Sequence, residues 1–158
     1  MAQEYFSIAL TPQLSLAIPL DSISKIIQLD TKSICTVPGV STFWYGVINF
    51  KGSLLWVLDC DLYFNLENNR ENQSKTLASV VIKHQQQDSL RQVAVATHKL
   101  EGIITIEPQQ LESLPQDTFT KLKDCCSNVI ARQNKHIFIL NSANLLEQLH
   151  HKSSLLSA

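Results

Sequence analysis

Charge is scarce in this chain. Only 17% of its 158 residues are charged, and the formal net charge is −1. The basic residues are scattered singly, so there is no broad positive field to draw in nucleic acid or an anionic membrane. Glycine is scarce too: four residues leave no glycine-rich loop able to cradle phosphates. The four cysteines, Cys35, Cys60, Cys125 and Cys126, are too few and too unevenly spaced for a disulfide framework. Cys125 and Cys126 are adjacent, which does not fit a CxxC zinc or redox site. All four are expected to be small buried hydrophobes in a reducing compartment. No segment approaches the roughly 18 consecutive apolar residues of a membrane span. The opening "MAQEYFSIAL" lacks the basic-then-apolar order of a secretory leader. These absences point to a cytoplasmic protein without membrane insertion.

Catalytic patterns are missing as well. No serine or cysteine stands in a G-x-S-x-G context or beside an evident histidine partner. Asp59 and Asp61 form a D-x-D, which elsewhere holds a divalent cation, but no second acidic cluster supplies converging oxygens. His150–His151 with His98, His84 or His136 could in principle bind zinc, but the pair sits in a tail and adjacent histidines point in different directions. The expectation is no catalytic residue, no metal and no cofactor.

What the chain does have is apolar material in short runs. With 44% hydrophobic residues it can bury a real core. "YFSIAL" and "LSLAIPL" flank Thr11-Pro12-Gln13 and predict a strand pair. "LDSISKIIQLD" predicts about one helical turn, capped by Asp21 and carrying Ile23, Ile26 and Ile27. "SICTVP" predicts a strand, and "GVINFKGSLLWVL" a hairpin in which Gly52 supplies the positive φ of a tight turn. Asp59 then caps a short helix. Residues 67–75 are polar and without periodicity, which predicts a linker. "TLASVVIKH", "LRQVAVAT" and "EGIITIE" are strand-like again, "PQQLESLPQDT" is a loop, and "SNVIARQNKHIFIL" is a second hairpin. "NSANLLEQL" predicts a terminal helix capped by Asn141, with residues 150–158 fraying.

The two hairpins align on each other without a gap when the chain is displaced by 82 residues. Val47 meets Val129, Trp56 meets Phe138, Val57 meets Ile139 and Leu58 meets Leu140. The turn residue Gly52 meets Asn134, and the cap Asp59 meets the cap Asn141. Nearer the start of each half a displacement of 77 brings Ala17 onto Ala94, Ile26 onto Ile103 and Asp30 onto Glu107. Chance matches apolar residues readily, but not the turn and both caps together. The chain is therefore two copies of one β-unit. Five short strands close best into a small barrel, which removes exposed edges. The expected fold is mainly β: two five-stranded, SH3-like barrels, related by pseudo-twofold duplication, with short helices and a C-terminal helix. The barrels are expected over about 14–66 and 76–140 of a single domain, with the N-terminal strand and C-terminal helix packing across.

The stretch "VPGVSTFWYGVINFKGSLLWVLDCDLYFNL" resembles the signature of the CheW-like domain, a VPG-type turn, then G-V-I-N-hydrophobic-R-G, then a strand ending in L-D. "FSIAL…LAIPLDSISKII" and "VAVATHKLEGIITIE" are similar to that family's strand pairs, so the resemblance runs over about residues 5–149. Two positions depart from it. Lys51 replaces the usual arginine, losing the planar fork, and Asn128 stands where the second half usually has glycine. The resemblance implies two barrels with a hydrophobic seam and a non-enzymatic adaptor in chemotaxis-type signalling. Its implied partners are the tip of a methyl-accepting receptor and the regulatory domain of a CheA-type histidine kinase. Carried onto this sequence, it makes Asn49, Lys51 and Gly52 the partner surface, with Ile23 and Ile27 as apolar contributors. The alternative is a freestanding regulatory barrel that binds a small ligand or nucleic acid. Phe43, Trp44 and Tyr45 could serve as a stacking platform for bases. Without basic neighbours they are expected instead to cover the seam between barrels.

Overall fold

Ten strands carry the fold in the computed structural model, which describes residues 1–66 and 75–154, with side chains through residue 150. The expected linker and the expected C-terminal tail lie largely outside the described residues. In chain order the strands are β1 (Gln3–Thr11), β2 (Leu14–Pro19), β3 (Ile23–Asp30), β4 (Trp44–Phe50) and β5 (Ser53–Asp59). The second set is β6 (Thr76–Gln86), β7 (Ser89–Thr97), β8 (Lys99–Ile106), β9 (Cys126–Arg132) and β10 (Lys135–Leu140). Three helices accompany them: α1 (Cys60–Tyr63), α2 (Thr120–Cys125) and α3 (Ser142–Ser154).

The strands form two curled, five-stranded sheets, as the duplication requires, but not from consecutive segments. The first sheet runs β8-β1-β2-β10-β9 and the second β3-β6-β7-β5-β4. Each hairpin that opens one repeat is thus built into the three later strands of the other. The segments 14–66 and 76–140 therefore do not delimit the sheets. The connections explain why. Only a three-residue 3-10 turn (Leu20–Ser22) separates β2 from β3, and only His98 separates β7 from β8. None of these residues has the positive φ of a tight reversal, so the chain runs on into the other sheet instead of folding back.

The exchange is reciprocal down to the register. Parallel pairing sets Val57 against Ala94 in the second sheet and Ile139 against Ala17 in the first. These are the residues the two sequence displacements had equated. Alternation along the inner strands then fills three cores. Ile8, Leu16 and Ile18 join Leu58, Val80, Ile82, Val93 and Val95 in a central cluster between the sheets. Val57, Val81 and Ala94 fill the interior of the second sheet, and Ala17, Ile130 and Ile139 that of the first. Leu58 and Leu140, at equivalent strand ends, are buried as the pattern required.

Other expectations are corrected. Ile23, Ile26 and Ile27 lie on β3, not on a helical turn, and Asp21 sits in the 3-10 turn without a capping hydrogen bond. "SICTVP" contributes only an isolated bridge, Cys35 to Val47. Its equivalent, Glu112 to Val129, closes the same edge of the other sheet. Cys35 is exposed, because its backbone makes that bridge while its side chain points outward; the other three cysteines are buried. Helix α2 had no counterpart in the sequence reading. Its six residues bury Leu122 and Cys125, three apart, against the central cluster.

Candidate partner-binding groove

The "NFKGS" turn joins β4 to β5 with Phe50 paired to Ser53, so its loop is the two residues Lys51 and Gly52. Both have positive φ, 52° and 81°, the geometry of a type I′ turn. Asn49 stiffens it: Oδ1 accepts a hydrogen bond from the Gly52 N–H at 3.1 Å. The second hairpin turns the same way at Gln133 and Asn134, with φ of 47° and 64°. Asn49, Lys51 and Gly52 are all exposed. Asn49 and Gly52 shape the loop, and Lys51 projects from it.

Lys51 is on the lip of a groove of about 790 Å³ that runs across β5 and β7 to α3. Its floor includes Trp44 and Trp56, whose rings are tilted by 58° with centroids 5.2 Å apart. Leu146 and Leu149 of α3 form one wall. Two leucines on its rim are conspicuously out of the core, Leu54 at 74% and Leu90 at 51% exposure. Among the described residues the charged groups lining the groove are Lys51, Lys83 and Arg91, with no acidic residue beside them. Its chemistry is mixed: aromatic and leucine side chains lie beside lysine, arginine and uncharged polar groups.

A second lysine reaches the same turn. Lys25 Nζ lies 5.4 Å, and Lys51 Nζ 5.6 Å, from the centroid of the Phe50 ring. The close approach and positive charge of Lys51 lower Lys25 below the ordinary lysine value. Ile23 and Ile27 are not assembled with the turn. Both are half-buried, Ile23 against the central cluster and Ile27 against the interior of the second sheet.

Sequence reasoning therefore found the turn and missed Lys25, Leu54, Leu90 and Arg91. Leu54 was hidden in "LLWVL", which looks buried on both faces. Proximity to the turn, where a strand leaves its neighbours, was the available signal. The aromatic trio divides: Phe43 and Trp44 are buried in the central cluster, while Tyr45 is partly buried against the second sheet's interior.

The acidic pair is structural at Asp59, whose Oδ1 accepts from the N–H groups of Asp61 and Leu62 at 2.9 and 3.3 Å. Asn141 does the same for α3 through the Asn144 N–H. Asp61 is paired with His98. Among the described residues no cluster of three or more His, Cys, Asp and Glu is placed to hold a metal ion, and no helix is long and apolar enough to cross a membrane.

Two interlocked, curled five-stranded sheets define a class of β-rich double-sheet domain. Residues 4–150 match the family model of the CheW-like domain, and the chain belongs to that family. Its fold is similar to the crystal structure of the scaffolding protein TtCheW from Thermoanaerobacter tengcongensis, with a TM-score of 0.72 at 17% identity over 89% of this chain and 90% of that one. No curated protein matches it.

Proposed function

We propose that the chain is a cytoplasmic, non-enzymatic adaptor of chemotaxis-like signalling, acting as one domain. It couples a methyl-accepting receptor to the regulatory domain of a CheA-type histidine kinase. The observation that carries this reading is the CheW-like family match across nearly the whole chain, joined to a groove that offers contact surface. The partner surface is centred on the turn of Asn49, Lys51 and Gly52, with the exposed parts of Ile23 and Ile27 on β3 as apolar contributors. Holding two partners on one small body raises their effective concentration and fixes their relative orientation. Receptor state then biases the kinase through the difference in contacts each state makes.

The test is a paired melting and pull-down experiment. Lys51→Glu alters an exposed loop residue and should leave stability within about 0.5 kcal/mol. It reverses the charge presented to the partner, and a like-charge contact costs several kcal/mol of binding. A folded Lys51→Glu protein should fail to retain kinase or receptor from cell extract, whereas Lys51→Arg should retain them. Full retention by Lys51→Glu would move the contact surface elsewhere.

A further inference from the structure

The duplication gives Asp61 and His98 counterparts on the far side of the molecule, and there the pair is broken. Asp61, in the first turn of α1, is paired with His98, the single residue between β7 and β8. The displacement of 82 residues carries Asp61 onto Ala143, in the first turn of α3. The displacement of 77 carries His98 back onto Asp21, in the 3-10 turn between β2 and β3. At the second place the anion is therefore gone, and an acid stands where the cation would be. Asp21 and Ala143 still line one cavity, of about 340 Å³, as the contact between their counterparts requires.

The cavity is unsatisfied where the pair is missing. Helix α3 has no acidic residue in its first turn. Asn141 accepts from the Asn144 N–H, but among the described residues the N–H groups of Ser142 and Ala143 have no hydrogen-bond partner. Ser142 also lines the cavity; it is 6% exposed, yet its Oγ has no partner among the described residues. Buried hydroxyls are nearly always hydrogen-bonded, so this one points to an acceptor from outside the chain. Asp21 is the only carboxylate in the lining, and it has no ion pair among the described residues. Burial, and then the charge of Asp21, raise the Tyr5 hydroxyl above its ordinary value, so the acid acts on the buried part of the lining.

We propose that this cavity binds a free α-amino acid with a small apolar side chain, its carboxylate at the start of α3 and its ammonium against Asp21. The carboxylate takes the place that Asp61 fills on α1, accepting from the Ser142 hydroxyl and the free N–H groups, where the helix dipole favours an anion. The ammonium takes the place of His98. A simple anion would meet repulsion from Asp21, and a simple cation would meet the positive end of α3. A zwitterion satisfies both ends at once. Tyr5, Pro19 and Ile139 supply apolar lining for its side chain. The volume lies at the low end of the range of about 300–1,000 Å³ for ligand pockets, which favours a small molecule. Among the described residues none that lines this cavity also lines the groove at Lys51, so the site goes beyond the adaptor reading and does not depend on it.

The experiment titrates the full chain with L-valine and follows the backbone amide signals by NMR. Binding should be saturable, with the largest shifts at the Ser142 and Ala143 amides. Isovalerate, which lacks the ammonium, and L-valinamide, which lacks the carboxylate, should each bind about tenfold or more weakly than valine. Asp21→Asn should weaken valine by a similar factor and bring it close to isovalerate. Ala143→Asp places a carboxylate where Asp61 stands on α1. It should melt no lower than wild type, because an acid suits the first turn of a helix, and it should abolish valine binding. Adding Asp21→His to it rebuilds the Asp61–His98 pair at the second place, and that double variant should melt above both single variants. The absence of saturable binding overturns the proposal, as do shifts centred on the groove at Lys51. Isovalerate binding as tightly as valine would leave only an anion site and also overturn it. So would undiminished valine binding by a folded Ala143→Asp protein.

Discussion

Glu101 carries more of the fold than any signal in the sequence announces. Ser7 and Ser15 both donate to its Oε1, at 2.8 and 2.7 Å, and Lys135 Nζ donates to Oε2 at 2.7 Å. The two serines lie on the same strand faces as Tyr5 and Ala17, so this network ties β1, β2, β8 and β10 together at one end of the first sheet's interior. Burial pushes the carboxyl up. The hydrogen bonds from Lys135, Ser15 and Ser7, with the charge of Lys135, outweigh that effect and hold it below the ordinary value of 4.5. A depressed carboxyl contributes stability that is present above its unfolded-state value and lost as pH falls through its folded-state value. Wild type should therefore lose stability from about pH 4.5 downward. Glu101→Gln should be less stable than wild type at pH 7, with the difference closing in acid. Urea titrations at pH 7, 5 and 3 would check this, and a gap that stays constant with pH would show that the network is not ionic. Four dispersed residues, each ordinary in its own strand, meet only through the tertiary fold, which is why the sequence did not reveal them.

Among the elements, the hairpins were legible because a positive-φ turn and a helix cap are local requirements that local residues must meet. Strand β3 was misread for an equally local reason. Ile23 pairs with Ile82 but Lys25 pairs with Val81, a bulge that breaks the period of two. The resulting apolar spacing of 23, 26 and 27 imitates a helix. Gly46, at the start of the first hairpin, shows how an element can be fixed by what lies outside it. A Cβ there would sit 2.1 Å from the Cys35 carbonyl oxygen, and its φ is 142°. At the equivalent place in the second hairpin Asn128 meets the equivalent carbonyl differently, donating from Nδ2 to the Glu112 oxygen at 3.2 Å. The Asn128 departure from the family pattern is thus a second solution to the same edge closure. Gly46→Ala should cost about 3 kcal/mol or more through clash and backbone strain, and it should disturb the turn at Lys51. Asn128→Gly should be far milder, because it removes one exposed hydrogen bond. Chemical denaturation of both variants measures the difference. Equal losses would mean that the close approach at Cys35 relaxes freely.

At the scale of the whole molecule, the duplication could be inferred by aligning the chain on itself, but the exchange of hairpins could not. Pairing of β1 and β2 with β8 and β10, or of β6 and β7 with β3 and β5, depends on contacts far apart in sequence. The apolar alternation is satisfied equally well by either assignment. Because each sheet draws on both repeats, neither repeat has a complete core alone. Residues 1–66 and 75–158 made separately should be largely unstructured by circular dichroism. Mixed, they should regain the sheet spectrum and elute as one complex. A folded, monomeric half would contradict the interlocking.

The interlocking also sets an order of events during synthesis. The second sheet has all its strands once Thr97 has left the ribosome, but the first sheet waits for β10, which ends at Leu140. The first hairpin made, β1 and β2, therefore belongs to the last sheet completed. Until then the face carrying Tyr5 and Ala17 has no final partner, and that long-range closure is intrinsically slow. A ribosome stalled shortly before residue 140 should hold a chain with one finished sheet and a sticky amino-terminal hairpin. For this architecture, vulnerability to misassembly is concentrated in the hairpin of β1 and β2.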